Sequence, residues 1–299
     1  MIEMGLCCEF YKEPIKYKIY TKAVLLKKTI EEQKEKILEV CNNNIESLQK
    51  SMDYCKENDI KTFRVSSNIL PHYYTIKEIL SKEELDNLID KIKQINTHNI
   101  NLSLHPGQYV NLGSPKEGVI QNSIDDLLYH KLLADCLNFK EINIHLGGTY
   151  GDKEEAKRVF IENVKDRIPE IIPYLTIEND ELNYHIVEVV DVCKELGIRT
   201  TYDLHHQRCY NLKEEINGNE IEWFELAKST WTDLGYDYMR MHISSPKDGY
   251  STASKSRPHS DYIEPTDIPK WLKKQDFLVY LDIEAKHKEC SIMELRKRD

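Results

Sequence analysis

Eight short apolar runs alternate with longer amphipathic stretches along this 299-residue chain, and no other feature limits its fold so tightly. The runs are IEMGLCCEF (2–10), TFRVSS (62–67), INLSLH (100–105), EINIHL (141–146), LTIEND (175–180), RTTYDLHH (199–206), YMRMHIS (238–244) and FLVYLDIEAK (277–286). Their length and their β-branched and aromatic content mark them as buried strands. Helical periodicity fills 31–58, 76–95, 120–138, 153–170, 183–196, 219–230 and 267–274, with a short tail after the last strand. Eight strand–helix repeats predict an α/β fold of the (β/α)8 TIM-barrel type rather than an open doubly wound sheet. The length suits one such barrel and no linker interrupts it, so a single domain over 1–299 is expected.

Composition narrows the function. Hydrophobic residues make up 40% of the chain and charged residues 31%, the profile of a soluble globular protein. No apolar run reaches membrane-spanning length, and MIEMGLCCEF has neither a basic segment nor a signal-like stretch. An intracellular protein with no membrane partner is expected. The eight cysteines contain no CxxC pair and read as reduced thiols. A net charge of −10 argues against a long polyanion as partner unless the charge is reversed locally.

A barrel places its active site at the C-terminal ends of its strands. Those ends carry Glu9; Arg64 with Ser66 and Ser67; His105; His145; Glu178; Asp203 with His206; His242; and Glu284. Five of 11 histidines fall at the exits of four apolar strands. One strand-end histidine is more often a hydrogen-bonded structural residue than a ligand, but joint placement with carboxylates from other strands favours a multinuclear metal site. His259, in RPHSDY, is a further candidate ligand. Glu178 and Glu284 leave nearly buried strands, where an unpaired charge is costly, so a metal or a basic partner is required beside them. In DLHH, a bend at the strand end would bring Asp203 and His206 onto one ion and leave His205 to packing. His98, His130, His185 and His287 are expected on solvated faces, and the pattern leaves His72 undecided. In HLGG, Gly147 and Gly148 permit a tight strand-to-helix turn behind His145.

FRVSSNILPH, LSLHPGQYVNLGSP, HLGGTYGDKEEA, TIENDE, TYDLHHQR, MHISSP, PHSDY and DIEAKHKE together resemble the UV damage endonuclease (UvdE) family, in order from about residue 62 to 289. The resemblance implies a barrel related to endonuclease IV with divalent metal ions at its mouth, two or three of them, manganese first, with Mg²⁺, Zn²⁺ or Co²⁺ as alternatives. It implies an enzyme that nicks double-stranded DNA immediately 5′ of ultraviolet photoproducts, and of abasic or other distorting lesions, leaving a 3′-hydroxyl and a 5′-phosphate; a monomer is expected. Its metal ligands fall on His105, His145, Glu178, Asp203, His206, His242, His259 and Glu284, with Glu178, Glu284, His242 and Asp203 as the catalytic set. Glu178 would bridge two ions, one completed by Asp203, His242 and Glu284 and the other by His105 and His145; His206 and His259 would hold a third. Gln108 and Tyr109 become probes that enter the helix at a distorted pair. Apart from the resemblance, Arg64, Lys247, Lys255 and Arg257 near the mouth are candidates for phosphate contacts, with ordinary solvated residues as the alternative, and His72 is a candidate DNA contact.

Arg240 stands two residues before His242, where some family members carry a modifiable lysine, and Leu6 and Phe10 stand where a DNA contact is expected. Two other readings remain open: a xylose-isomerase-like, metal-dependent sugar isomerase or epimerase, and a catalytically silent protein that binds damaged DNA.

Overall fold

A computed structural model describes residues 1–298. Eight parallel strands close into a barrel in chain order, with β8 returning to β1. The strands are β1 Ile2–Cys7, β2 Thr62–Val65, β3 Asn101–Leu104, β4 Ile142–His145, β5 Leu175–Glu178, β6 Arg199–Asp203, β7 Tyr238–Ile243 and β8 Leu278–Ile283. The helices are α1 Lys22–Leu25, α2 Ile30–Glu57, α3 Tyr73–Ile79, α4 Lys82–Lys93, α5 Glu117–Cys136, α6 Lys153–Arg167, α7 Ile186–Leu196, α8 Leu204–Asn211, α9 Glu220–Thr232, α10 Ala253–Ser256 and α11 Lys288–Arg298. The (β/α)8 TIM barrel is therefore present, and the fold puts every strand's C-terminal end at one mouth. No helix among the described residues is long and apolar enough to cross a membrane.

Alternation along each strand sorts its side chains into two environments. Outward, Phe63, Val65, Leu102, Leu104, Ile142, Ile144, Leu175, Ile177, Leu281 and Ile283 are buried in the hydrophobic core, each stabilising the fold by about 1.5–3 kcal/mol. Inward, the barrel is polar. Thr176 donates to Asn143, Thr201 to Thr176, and Arg240 to Thr62, at 2.8–3.1 Å. Gly5, paired in register with Asp282, makes this interior possible, since a Cβ there would overlap Asp282 Oδ1 and Thr62.

The structure departs from the sequence reading at several element ends. The first strand stops at Cys7, and Cys8 takes a left-handed turn at φ 59°. The expected helix at 76–95 is two helices, because Ser81 and Glu84 form a capping box that starts α4 afresh. The expected helix at 267–274 is reduced to short 3₁₀ turns at Pro265–Asp267 and Leu272–Lys274 around Pro269. The run 199–206 leaves the sheet after Asp203 and enters α8, and the expected tail is the ordered helix α11.

Candidate metal centre at the barrel mouth

Six adjacent strands bring seven of the expected side chains to one rim. His145, Glu178 and Asp203 are the last residues of β4, β5 and β6; His242 lies near the end of β7; His105 and Glu284 follow β3 and β8 directly. Register pairs His145 with Glu178 and Asp203 with His242. His206 arrives by a different route. Asp203 is the N-cap of α8 and its Oδ1 accepts from the His206 backbone N–H at 2.7 Å, which places His206 three residues on, beside the same carboxylate. The bend expected in DLHH is this helix start.

Glu178 is the centre of the cluster and almost fully buried. Its Oε2 lies 3.1 Å from His105 Nε2 and 3.0 Å from His242 Nδ1, and its Oε1 lies 3.1 Å from His206 Nδ1. The Asn143 amide also donates to it. His242 Nδ1 is 4.0 Å from Asp203 Oδ2 and 3.4 Å from Glu284 Oε1. Three overlapping groups result, His105–Glu178–His242, Glu178–Asp203–His206 and Asp203–His242–Glu284, with ligand atoms within 4.8 Å of one another in each.

The charges of these groups depend on one another. Burial alone would raise Glu178, but His242 and His145, with hydrogen bonds from His105 and His206, outweigh it and hold the carboxyl well below its usual range. Burial works against charge on His206, yet Asp203 and Glu178 raise it well above the ordinary histidine value; Glu178 likewise raises His242. Against burial, Arg64 and then His242 keep Glu284 ionised. His145 goes the other way: burial pushes it down to about 4, so its imidazole is neutral at pH 7.

These residues fit divalent cations on grounds internal to the structure. His145 Nδ1 and Asp203 Oδ2 are buried polar atoms without a hydrogen-bond partner, an arrangement that costs about 1–3 kcal/mol per atom unless something else engages them. The donors are imidazole nitrogens and carboxylate oxygens with no thiolate, a mixed set that suits divalent cations.

A layer of ion pairs that sequence reasoning left unassigned lies beneath the rim. Asp282, fully buried, stands 3.6 Å from His242 Nε2, the ring nitrogen facing away from Glu178. It pairs with Arg240 at 2.8 Å and Arg64 at 3.3 Å. Arg240 also donates to Glu141, Thr62 and Asn101, so the residue in the family's lysine position is wholly engaged inside the barrel. The signal was present in YLDIE and YMRMHI, where alternation puts Asp282 on the face of Glu284 and Arg240 on that of His242. Asn179, also missed, brackets Asp203 with paired bonds of 2.9 Å to its backbone N–H and carbonyl.

Other expected positions fall elsewhere. Arg64 is not at the surface as a phosphate contact requires: β2 points it inward, 2.6 Å from Glu284 and 2.9 Å from His242 Nε2. Leu6 and Phe10 belong to the core, Phe10 edge-on to Tyr54 with centroids 5.1 Å apart, so neither reaches a ligand. Glu9 is exposed beyond the Cys8 turn, outside the cluster. His259 sits beside the cluster, Nδ1 3.9 Å from Glu284 Oε2, in none of the three groups. His145 is also outside those groups, although its ring lies 5.3 Å from that of His105. His205 is buried against Tyr250 and the Arg257 carbonyl, as packing requires.

Of the histidines expected on solvated faces, His130 is fully buried. It bridges Ser67 Oγ at 2.8 Å and the Asp126 carbonyl at 2.7 Å where α5 meets the loop after β2. His98 pairs with Asp53 at 2.7 Å, His185 caps α7, and His287 stacks on Tyr11.

The loops around the mouth supply exposed groups. Gln108 and Tyr109 project from the loop after His105, and Tyr109 is 65% exposed, its hydroxyl donating to Asp126. Gln108 lines a cavity of about 220 Å³ with His145, Gly147 and Glu181. Gly147 is required there by its φ of 97° and by Asn111, which a Cβ would strike. Lys247 is exposed, Arg257 stands 4.0 Å from Glu181, and His72 is exposed with its ring nitrogen 3.2 Å from the Tyr20 carbonyl.

Comparison with known proteins agrees with this fold. A UV DNA damage endonuclease from Nostoc sp. is 29% identical over 298 residues, covering 98% of this chain and 89% of its own length. One from Bacillus cereus (strain B4264) is 30% identical over 278 residues, 89% of this chain and 83% of its own. The crystal structure of SacUVDE superposes with a TM-score of 0.83 at 25% identity, covering 100% of this chain and 98% of that one. The sequence pattern described as UV-endonuclease UvdE matches residues 2–299, and the chain belongs to that family.

Proposed function

We propose that this chain is a metal-dependent DNA-repair endonuclease that nicks the phosphodiester backbone immediately 5′ of ultraviolet photoproducts in duplex DNA, leaving a 3′-hydroxyl and a 5′-phosphate, and that it also accepts abasic and other distorting lesions. The observation that carries the reading is the convergence on Glu178 of His105, His206 and His242 beside Asp203 and Glu284, with buried atoms of His145 and Asp203 left without hydrogen-bond partners. His105, His145, Glu178, Asp203, His206, His242, His259 and Glu284 would hold two or three divalent cations, manganese first. Bound there, such cations supply positive charge against the phosphate oxygens and a more acidic water.

The chain's own residues prepare the reaction. Glu178, Asp203 and Glu284 present carboxylate oxygens at fixed separations, and Arg64 and Asp282 hold Glu284 and His242 in place from beneath. Neutral His145 is in the protonation state that ligates a cation. Gln108 and Tyr109 stand on the rim where a duplex would lie, and they serve as the probes of weakened stacking, which costs least to open at a lesion. Lys247 and Arg257 contact phosphates on the other side of the mouth.

The test is incubation of purified protein and Mn²⁺ with ultraviolet-irradiated supercoiled plasmid. Relaxation of the irradiated plasmid alone is expected. Unchanged mobility would favour a sugar isomerase, and a retarded but uncut band would favour a silent binder; either would overturn the proposal.

A further inference from the structure

Although the chain carries a net charge of −10, residues 10–29 hold six lysines, at 12, 16, 18, 22, 27 and 28, against the single acid Glu13, a local net charge of +5. This segment joins β1 to α2, so it leaves the barrel at the end that bears the cluster. It is fixed rather than loose. Lys18 N–H donates to Asn44 Oδ1 at 2.7 Å, Ser47 Oγ donates to the Lys16 carbonyl at 2.9 Å, and the Tyr20 hydroxyl donates to the Pro71 carbonyl at 2.8 Å.

Asn44 also donates to the Asn68 carbonyl in the loop after β2 and so marks the level of the mouth. Residues 30–43 of α2 precede it, about 20 Å of helix that packs beside α4 through Lys34–Glu84 at 3.5 Å and Lys91–Asn42 at 2.8 Å. The lysine segment lines this wall. Lys16 is engaged by the Phe10 carbonyl and Lys18 faces Glu39 at 3.6 Å, whereas Lys22, Lys27 and Lys28 are exposed and their ammonium groups make no hydrogen bond or ion pair among the described residues, that of Lys28 acting only at longer range on the Glu32 carboxylate.

Exposed Ile19, Val24 and Leu26 alternate with these lysines, at 66%, 58% and 51%. Ile19 and Lys22 form one side of a cleft of about 440 Å³ whose other side carries His72, Tyr74 and Tyr109. Asp125 and Asp126 also line it, on the side away from the lysines, and accept from Gln121 and Tyr109.

We propose that Lys22, Lys27 and Lys28 grip the phosphate backbone of the duplex arm flanking the lesion, with Ile19, Val24 and Leu26 against the sugars. This rests on the endonuclease reading. Lysines are point charges without base-reading geometry, so the wall contributes affinity and not lesion choice or chemistry. A lipid surface would also attract lysines among apolar side chains, but the continuity of this cleft with Tyr109 favours DNA.

The test compares wild type with Lys22→Gln/Lys27→Gln/Lys28→Gln on a duplex bearing one cyclobutane dimer, in Mn²⁺ across a salt series. Each lost phosphate contact removes about 0.9 from the slope of log affinity against log salt, roughly 5-fold at 150 mM. The triple variant should therefore raise KM on the order of 100-fold and flatten the salt dependence, with kcat and the unfolding midpoint unchanged. The charge-reversed Lys22→Glu/Lys27→Glu/Lys28→Glu should go further. Unchanged KM and slope would overturn the proposal, as would a fall in kcat at constant KM, or loss of binding to anionic phosphatidylglycerol vesicles with unchanged KM. Failure of wild type to cut the dimer duplex would instead sink the endonuclease reading.

Discussion

Replacing Arg240 by methionine, which is of similar length and uncharged, tests the ionic interior most directly. In the folded chain Arg240 is fully buried and donates to Glu141, Asp282, Thr62 and Asn101. Asp282 would retain Arg64 at 3.3 Å, but Glu141, also buried, has no other ion pair among the described residues. Removing one partner from a buried pair costs about 3–5 kcal/mol, because the remaining charge is uncompensated. With a urea dependence of roughly 3 kcal/mol per molar, the midpoint of unfolding should fall by about 1 M or more. Glu141→Gln in the same chain should recover part of the loss, a coupling of about 0.5–3 kcal/mol. The effect should also reach the rim, since Asp282 stands behind His242. Mn²⁺ affinity measured by calorimetry should weaken by about 10–100-fold, the usual consequence of disturbing a partner behind a ligand. A midpoint within about 0.3 M of wild type, together with unchanged Mn²⁺ affinity, would refute the reasoning.

Glu178→Gln and Glu284→Gln should each abolish nicking of irradiated plasmid while circular dichroism shows the fold retained; activity surviving in both would remove these carboxylates from the chemistry. Tyr109→Ala should narrow the ratio of cutting on dimer-containing over intact duplex while leaving Mn²⁺ binding unaltered, as read by side-by-side cleavage and calorimetry. The raised His206 and His242 give a pH dependence with a definite sign. Their stabilisation of the chelated protein is complete below the ordinary histidine range and is lost as pH climbs through their elevated values, so the thermal midpoint in EDTA should drop from pH 6.5 upward. Mn²⁺ titrated at pH 7 should release protons, seen as an enthalpy that changes with the ionisation heat of the buffer.

Much of the architecture was legible because parallel strands covered on both faces read as nearly continuous apolar runs, and each strand end exposes the chemistry of its last residues. His105, His145, Glu178, Asp203, His206, His242 and Glu284 were found by position along the chain. What stayed hidden depends on contacts between distant segments. Arg64 looked like a mouth cation, since no local pattern shows that Asp282 and Glu284, over 200 positions away, turn it inward. His130 was placed on a solvated face by residue type alone, since α5 has no distinct polar and apolar sides from which its burial could be read. The first turn of α8, residues 204–206, was read as strand because its start signal is Asp203, a residue already assigned to the metal cluster. The lysine wall was overlooked because its meaning comes from how residues 16–28 lie along α2, contacts that no local pattern reveals.

Gly5 has a consequence for how the barrel closes. The seam that closes the barrel, between the first and eighth strands, aligns Gly5 with Asp282. A slip of one residue would turn the wrong faces inward. A slip of two would set Glu3 or Cys7 against that aspartate, meeting it with a second negative charge or with bulk where it needs space. The missing side chain thus acts as a keyhole that only one alignment of the two chain ends can fill, and the charge that checks the closure is the same one that steadies His242.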